Sequence, residues 1–250
     1  MLAEQTHEKL VEMKLRGMAA GFRQFLDEPN PNQLSFEERL GLLVDREWDD
    51  KQRRRLTRRL QMAKLREPAC IEDVNYQHPR NLDRAVIQRL ATCQWIARHE
   101  NVVITGPTGL GKSWLACALA NNACRQAHTS LYRRVPRLLH EMQIARADGT
   151  YVKELARLAK VDLLILDDWG LSVLKETERR DVLEIIEDRD GRKSTLITSQ
   201  LAIKAWHDTI GDPTIADAIM DRLVHKAHRI ELKGPSMRKK KTPSDAKAKK

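Results

Sequence analysis

Residues 102–113, VVITGPTGLGKS, restrict the fold more than any other stretch of the chain. An apolar run, Val102-Val103-Ile104, leads into Gly106-Pro107-Thr108-Gly109-Leu110-Gly111-Lys112-Ser113, and a helix-forming run from Trp114 to Ala120 follows. Strand, Gly-rich turn and helix in that order are the setting a phosphate-binding P-loop requires. Gly106, Gly109 and Gly111 reach backbone angles closed to residues with a Cβ, so successive N–H groups turn inward around phosphates. The helix after the loop offers its positive N-terminal end to the same anion. On this reading residues 106–113 cradle a nucleotide, Lys112 reaches its β- and γ-phosphates, and the Ser113 hydroxyl ligates Mg²⁺. An ordinary Gly-rich strand-to-helix turn is the competing reading.

The length of 250 residues predicts one α/β domain with a smaller attached piece. No apolar run approaches ~20 residues, and residues 1–20 are charged and amphipathic, so a cytoplasmic chain without a membrane partner is expected. Cys70, Cys93, Cys117 and Cys124 show no C-x-x-C spacing, which favours buried free thiols over a disulfide or zinc site. The net charge of +10 is uneven. Residues 51–66 hold eight Lys/Arg and no acid, and residues 238–250 hold seven Lys/Arg and one Asp, which leaves the remainder at −4. A mildly acidic body with two basic attachments favours a polyanionic partner, although a solvated helix face and a solubilising tail give the same counts.

Residues 4–27 read as one amphipathic helix carrying Val11, Leu15, Met18, Phe22 and Phe25, ended by Pro29-Asn-Pro31. Ser35 with Glu38 forms a capping-box start for a second helix through Leu40, Leu43, Val44 and Trp48. The basic stretch follows, with Leu56, Leu60 and Ala63 on one face and Arg54, Arg55, Arg58 and Arg59 beside it, up to Pro68. Residues 1–66 are therefore expected to form a helical module whose apolar stripes need burial against another surface. Residues 81–98 read as a further helix, and strands are predicted at 130–133, 162–167, 195–198 and, as an edge, 229–232. Helices between them imply a parallel sheet covered on both faces. Residues 133–158 read as two basic helical pieces, on which Arg133, Arg134 and Arg137 are candidate phosphate-backbone contacts.

The run Leu163-Leu-Ile-Leu-Asp167-Asp168 supplies the second half of the site. An apolar strand ending in a carboxylate places Asp167 at the sheet's C-terminal edge, where it would hold Mg²⁺, and Asp168 would activate water. Thr198-Ser199-Gln200 ends the next strand at the same edge, either to place the attacking water or as a strand-end cap.

These strings together resemble the AAA+ ATPases of the helicase-loader and initiator group and, more closely, the IstB-type transposition helper ATPases of bacterial insertion sequences. The resemblance runs from LTRRLQMAKLR through IEDVNYQHPRNLDRAVIQRLATCQWI, GPTGLGKS, LLILDDWG, LITSQL and IMDRLVHKAHRIEL to GPSMRKK. It implies a three-layer α/β/α P-loop domain over 67–238, with the helical module at 1–66 and a basic disordered tail at 239–250. It also implies ATP and Mg²⁺ as cofactors, Asp168 as catalytic acid, Ser199 or Thr198 as first sensor, and Arg238 as second sensor. Arg222 resembles an arginine finger supplied to a neighbouring subunit, with a surface arginine pairing with Asp221 or Glu231 as the competing reading. Asp168 departs from the Glu common in AAA+ proteins and is one methylene shorter. With twelve residues following Arg238, the usual helical lid is not expected.

The expected function is a DNA-stimulated ATPase that self-assembles on duplex DNA with little sequence preference. It would bend or mark that DNA and recruit a partner transposase. A replicative helicase loader shares the ATP site, and a non-hydrolysing nucleotide switch on DNA is the reading from another class. A small-molecule P-loop kinase leaves the basic helix and Arg222 unexplained.

Overall fold

The computed structural model describes residues 2–27 and 34–237. Contacts divide the chain into two compact units, Met1–Arg58 and Arg59–Lys250. In the first, the helix expected over 4–27 is two helices, α1 (Leu2–Glu12) and α2 (Arg16–Asp27). Lys14 adopts a φ of 60°, and the Lys14 and Leu15 N–H groups bond back to the Val11 and Leu10 carbonyls at 2.9 Å each. That pattern is a Schellman-type helix end, formed without the glycine that usually announces it. The Pro29–Pro31 stop lies outside the described residues.

Ser35 and Glu38 cap the next helix, α3 (Phe36–Ala63), reciprocally: Ser35 N–H donates to Glu38 Oε2 at 2.7 Å and Glu38 N–H to Ser35 Oγ at 3.2 Å. The two expected helices of this region are one, because no Gly or Pro interrupts the run between Trp48 and Leu56. It stops at Lys64, with φ 50°, rather than at Pro68. Buried Glu47 on α3 accepts the Gly17 and Met18 N–H groups at 2.7 and 3.2 Å, satisfying the first amides of α2. A Cβ at Gly17 would overlap the Arg46 backbone, so only glycine allows this approach. Glu47→Ala should cost about 2 kcal/mol locally, since two helix-end donors lose their acceptor. Hydrogen exchange of the α2 amides should then accelerate about thirtyfold relative to the sheet.

The second unit begins with the last turn of α3, where Arg59 Nε donates to the Cys124 carbonyl at 2.8 Å. A 3₁₀ turn at Ile71–Asp73 precedes α4 (Arg84–Ala91), whose N-terminus is capped by Asp83, and α5 (Gln94–Ala97). The helix expected over 81–98 is broken at Cys93, which takes a φ of 57°. Then come β1 (Asn101–Thr105), α6 (Lys112–Arg125), β2 (Ser130–Arg134), α7 (Val135–Ala147), α8 (Tyr151–Lys160), β3 (Leu163–Trp169), α9 (Glu176–Arg189) and β4 (Ser194–Ser199). The described chain closes with α10 (Trp206–Ile210), α11 (Pro213–Val224) and β5 (Ala227–Glu231).

Among the described residues the strands form one parallel sheet in the order β2-β3-β4-β1-β5, with β5 at an edge as expected. Alternation within the strands splits the core. Val102, Ile104, Ile165 and Leu196 pack with α4, α5 and α6, whereas Val103, Leu164, Leu166 and Ile197 pack with α7, α9 and α11. The sheet is therefore the middle of three layers. Cys93, Cys117 and Cys124 are buried and, like Cys70, carry free thiols. Among the described residues no helix is long and apolar enough to cross a membrane.

Candidate nucleotide-binding site

The site forms where β1, β3 and β4 end together at the C-terminal edge of the sheet. β1 is buried along its whole length, and the loop after it is held to β4 by Gly106 N–H donating to the Ser199 carbonyl at 3.2 Å. Gly106 has a φ of 143° and lies so close to the Leu232 carbonyl that a Cβ would collide with it. Gly111, with φ 80°, is the residue from which α6 starts, aiming the helix's first amides into the loop. Lys112 is nearly buried and donates from Nζ to the Gly106 and Pro107 carbonyls at 2.7 and 2.9 Å. Its ammonium is thereby kept at the loop.

Asp167 is fully buried and gathers hydroxyls. Ser113 Oγ donates to its Oδ1 at 2.8 Å, Thr198 Oγ1 donates to the same oxygen, and Tyr132 Oη donates to Oδ2. Arg66 Nη1 lies 3.9 Å from Oδ2. Burial, and then the Asp167 carboxylate, push the Tyr132 phenol well above its ordinary pKa, so it stays a protonated donor. A buried carboxylate beside a serine hydroxyl at a helix N-terminus is an oxygen donor set for a hard divalent cation, and it fits Mg²⁺. The loop amides, α6 and Lys112 fit a triphosphate.

Consecutive residues of a regular strand face opposite ways, yet Asp167 meets Ser113 of the loop while Asp168 lines the cleft. The register explains it. Leu166 pairs with Ile197 but Trp169 pairs with Ser199, so Asp167 and Asp168 together stand opposite Thr198. This is a β-bulge, and Asp168 within it takes a left-handed φ of 62°, which Asp tolerates better than most residues with a Cβ. Asp168 N–H donates to Thr198 Oγ1 at 3.3 Å, and its Oδ2 forms an ion pair with Arg134 Nε at 2.7 Å. The cleft so formed measures about 390 Å³.

Of the two sensor candidates, Thr198 faces the acids. The Ser199 hydroxyl instead donates to the Trp169 carbonyl at 2.9 Å and accepts from Leu201 N–H at 3.1 Å, which are backbone-capping contacts. Arg238 lies outside the described residues; Met237 before it donates its N–H to the Gly109 carbonyl at 2.8 Å. Arg222, in the last turn of α11, is at the other end of the sheet. Its carbonyl accepts from the side chain of Asn101, the first residue of β1, at 2.9 Å. Its guanidinium pairs with Glu187 at 3.0 Å, not with Asp221 or Glu231.

The basic candidates separate by environment. Arg55 and Arg58 are exposed, whereas Arg54 is committed to Asp50 at 2.8 Å and Glu47 at 3.5 Å. Arg133 and Arg134 belong to β2, not to a helix, and Arg133 is buried; Arg137 is exposed on α7 and paired with Glu141 at 3.1 Å. Arg80, Tyr132 and Arg66 carry no local sequence signal, yet all three reach the site. Arg80 is 2% exposed and donates to the Leu110 carbonyl of the loop at 2.8 Å and the Asn75 carbonyl at 3.2 Å. Burial lowers its pKa.

Comparisons with known proteins agree with this geometry. The family described as IstB-like ATP binding protein matches residues 8–245. The insertion sequence ATP-binding protein y4pL of Sinorhizobium fredii (strain NBRC 101917 / NGR234) is 54% identical over 239 residues, covering 96% of this chain and 98% of the relative. The IS21 ATP-binding protein of Pseudomonas aeruginosa is 28% identical, over 92% of this chain and 87% of its own. Among solved structures, DnaI superposes with a TM-score of 0.58 at 23% identity, over 66% of this chain and 92% of that one. The DnaC helicase loader superposes with 0.54 at 19% identity, over 66% and 97%. At those identities the structures establish the parallel α/β fold alone, while the sequence match over nearly the whole chain establishes kinship: the chain belongs to the family of IstB-like ATP-binding proteins.

Proposed function

We propose that this chain hydrolyses ATP, that it does so as an assembly on duplex DNA, and that it marks or bends that DNA for a partner transposase. The observation that carries the reading is the separation of the catalytic parts. Lys112, Ser113, Asp167 and Asp168 converge at the C-terminal end of β1, whereas Arg222 sits at its N-terminal end. Five strand residues at ~3.3 Å each put roughly 16 Å between those ends, so Arg222 serves a nucleotide only on a neighbouring subunit. Exposed Phe36, Leu40, Val44 and Trp48 on α3 supply apolar area for such self-association. The transposase partner is supported by the insertion-sequence names of the relatives.

In the nucleotide site, Ser113 and Asp167 would hold Mg²⁺, which when bound neutralises charge developing on the phosphates. Lys112 and the loop amides bind the β- and γ-phosphates. Thr198 fixes the Asp167 carboxylate and the Asp168 backbone together. Asp168 is the base that accepts a proton from water, and the Arg134 ion pair must loosen before its carboxylate is free. That same pair favours a second reading, a nucleotide switch that binds DNA without turning over.

Affinity for DNA would come from phosphate neutralisation by residues such as Arg55 and Arg58. Binding of a nonspecific duplex, followed by fluorescence anisotropy in a non-hydrolysable ATP analogue, should weaken linearly in log–log form with salt. About five neutralised phosphates give a slope of about −4.5. A flat salt dependence, or retention of one sequence only, would refute this mode of binding.

A further inference from the structure

We infer that Arg80 is a positioning residue for the phosphate cradle: its guanidinium holds a loop carbonyl outward, so that the amide beyond it faces the phosphates common to ADP and ATP. The inference deepens the nucleotide-site reading above and rests on it.

The loop between β1 and α6 does not fix its own amides. Gly109 and Gly111 flank Leu110 with φ of 86° and 80°, and residues without a Cβ leave the peptide planes between them free to turn. Two contacts from outside the loop remove that freedom. Met237 N–H donates to the Gly109 carbonyl at 2.8 Å, and Arg80 Nη1 donates to the Leu110 carbonyl at 2.8 Å. A trans peptide plane carries its carbonyl and the following N–H on opposite sides. Holding those two carbonyls outside the loop therefore turns the Leu110 and Gly111 N–H groups inward, toward the cradled phosphates.

Arg80 ties these contacts to the rest of the domain. Its side chain is 2% exposed and lines the nucleotide cleft beside Gly111. Nη2 donates to the Asn75 carbonyl at 3.2 Å, Nη1 lies 3.3 Å from Met237 Sδ, and the Arg80 carbonyl accepts from Lys233 N–H at 3.1 Å. The lead-in to β1, the loop and the segment after β5 thus meet at one residue. The fit is close, since a Cβ at Gly111 would stand 2.8 Å from Arg80 Nη1. Both oxygen acceptors of Arg80 are main-chain carbonyls, and no carboxylate acts on its charge. The position therefore uses the planar fork of arginine, which spans two acceptors, rather than its charge alone.

The test titrates ADP and ATP into the full chain by calorimetry and measures steady-state turnover on the same preparations. Arg80→Gln should lose affinity for ADP and ATP equally, about tenfold each, the scale of one charge-assisted hydrogen bond. Turnover at saturating ATP should stay within about threefold of the wild type, because the shared phosphates are held alike in ground and transition states. Arg80→Lys keeps the charge without the fork and should bind ADP no more than about threefold better than Arg80→Gln. Met237→Pro removes the other outside donor at an exposed position and should weaken ADP binding about fivefold, a comparison that holds even if the Arg80 variants do not fold. Arg80→Gln that melts lower yet binds ADP like the wild type has lost packing alone, and that result overturns the inference. A loss confined to ATP or to turnover, wild-type affinity in Arg80→Lys, or unchanged ADP binding in Met237→Pro also overturns it. If the wild type binds nucleotide without turning it over, the ATPase reading fails, whereas equal losses of ADP and ATP affinity in Arg80→Gln still support the role of Arg80.

Discussion

Lys112→Ala should lower ATP affinity about a hundredfold and turnover about a thousandfold, the scale of losing a charge-assisted contact that strengthens in the transition state. Nothing else in the loop replaces it. The Lys112 ammonium is kept at the loop by the Gly106 and Pro107 carbonyls, whereas Arg80 spends its guanidinium on the Leu110 and Asn75 carbonyls. Because the Lys112 backbone starts α6 and alanine is a good helix former, the fold should persist, and circular dichroism should be unchanged. Titration calorimetry with ATP and steady-state kinetics read the two losses separately. A variant within threefold of the wild type in both would mean that the loop is not the phosphate cradle.

The two halves of this site are legible in the sequence because each is a contiguous string with its element attached. GPTGLGKS follows an apolar strand and precedes a helix, and LLILDD is a buried strand that ends in acids. What completes the site is not contiguous. Tyr132 reaches Asp167 because β2 and β3 pair in register, Arg134 lying opposite Asp167. Arg80 arrives from an irregular lead-in with no periodicity to mark it. The bulge that aims Asp168 is a property of pairing between β3 and β4, and β3 alone reads as a regular strand.

Helix ends show the same limit. Lys14, Lys64 and Cys93 all take left-handed backbone angles that sequence reading assigns first to Gly or Asn, so residues 4–27 and 81–98 each read as one unbroken helix and α3 was expected to run on to Pro68. The tertiary contacts around them set those ends. Gly17 must reach the Arg46 backbone and Glu47 must cap α2, which fixes where α1 has to stop. Arg133 illustrates the converse, since a charge counted toward a solvated helix lies in β2, where Ser130 to Arg133 are all buried.

Arg222→Ala should reduce turnover per subunit about a thousandfold or more while leaving ATP affinity within about twofold, because an arginine finger acts on the transferring phosphate and not on ground-state binding. Its own loop is at the far end of β1 and does not feel the change. Loss of the half-exposed pair with Glu187 should cost under ~1 kcal/mol in stability. Mixing Arg222→Ala with Lys112→Ala supplies the decisive comparison. Each mixed interface that pairs an intact loop with an intact Arg222 should work, so the mixture should exceed either variant alone by an order of magnitude or more. A mixture no more active than its components would place Arg222 outside the site.

The measurement that bears most directly on an assembly-dependent, DNA-stimulated ATPase is turnover as a function of nonspecific duplex concentration, with particle mass followed by light scattering in the same samples. The account predicts that mass and turnover rise together with duplex in ATP, that both fall as salt is raised, and that neither rises in Lys112→Ala. Turnover that is independent of both duplex and particle mass would contradict it.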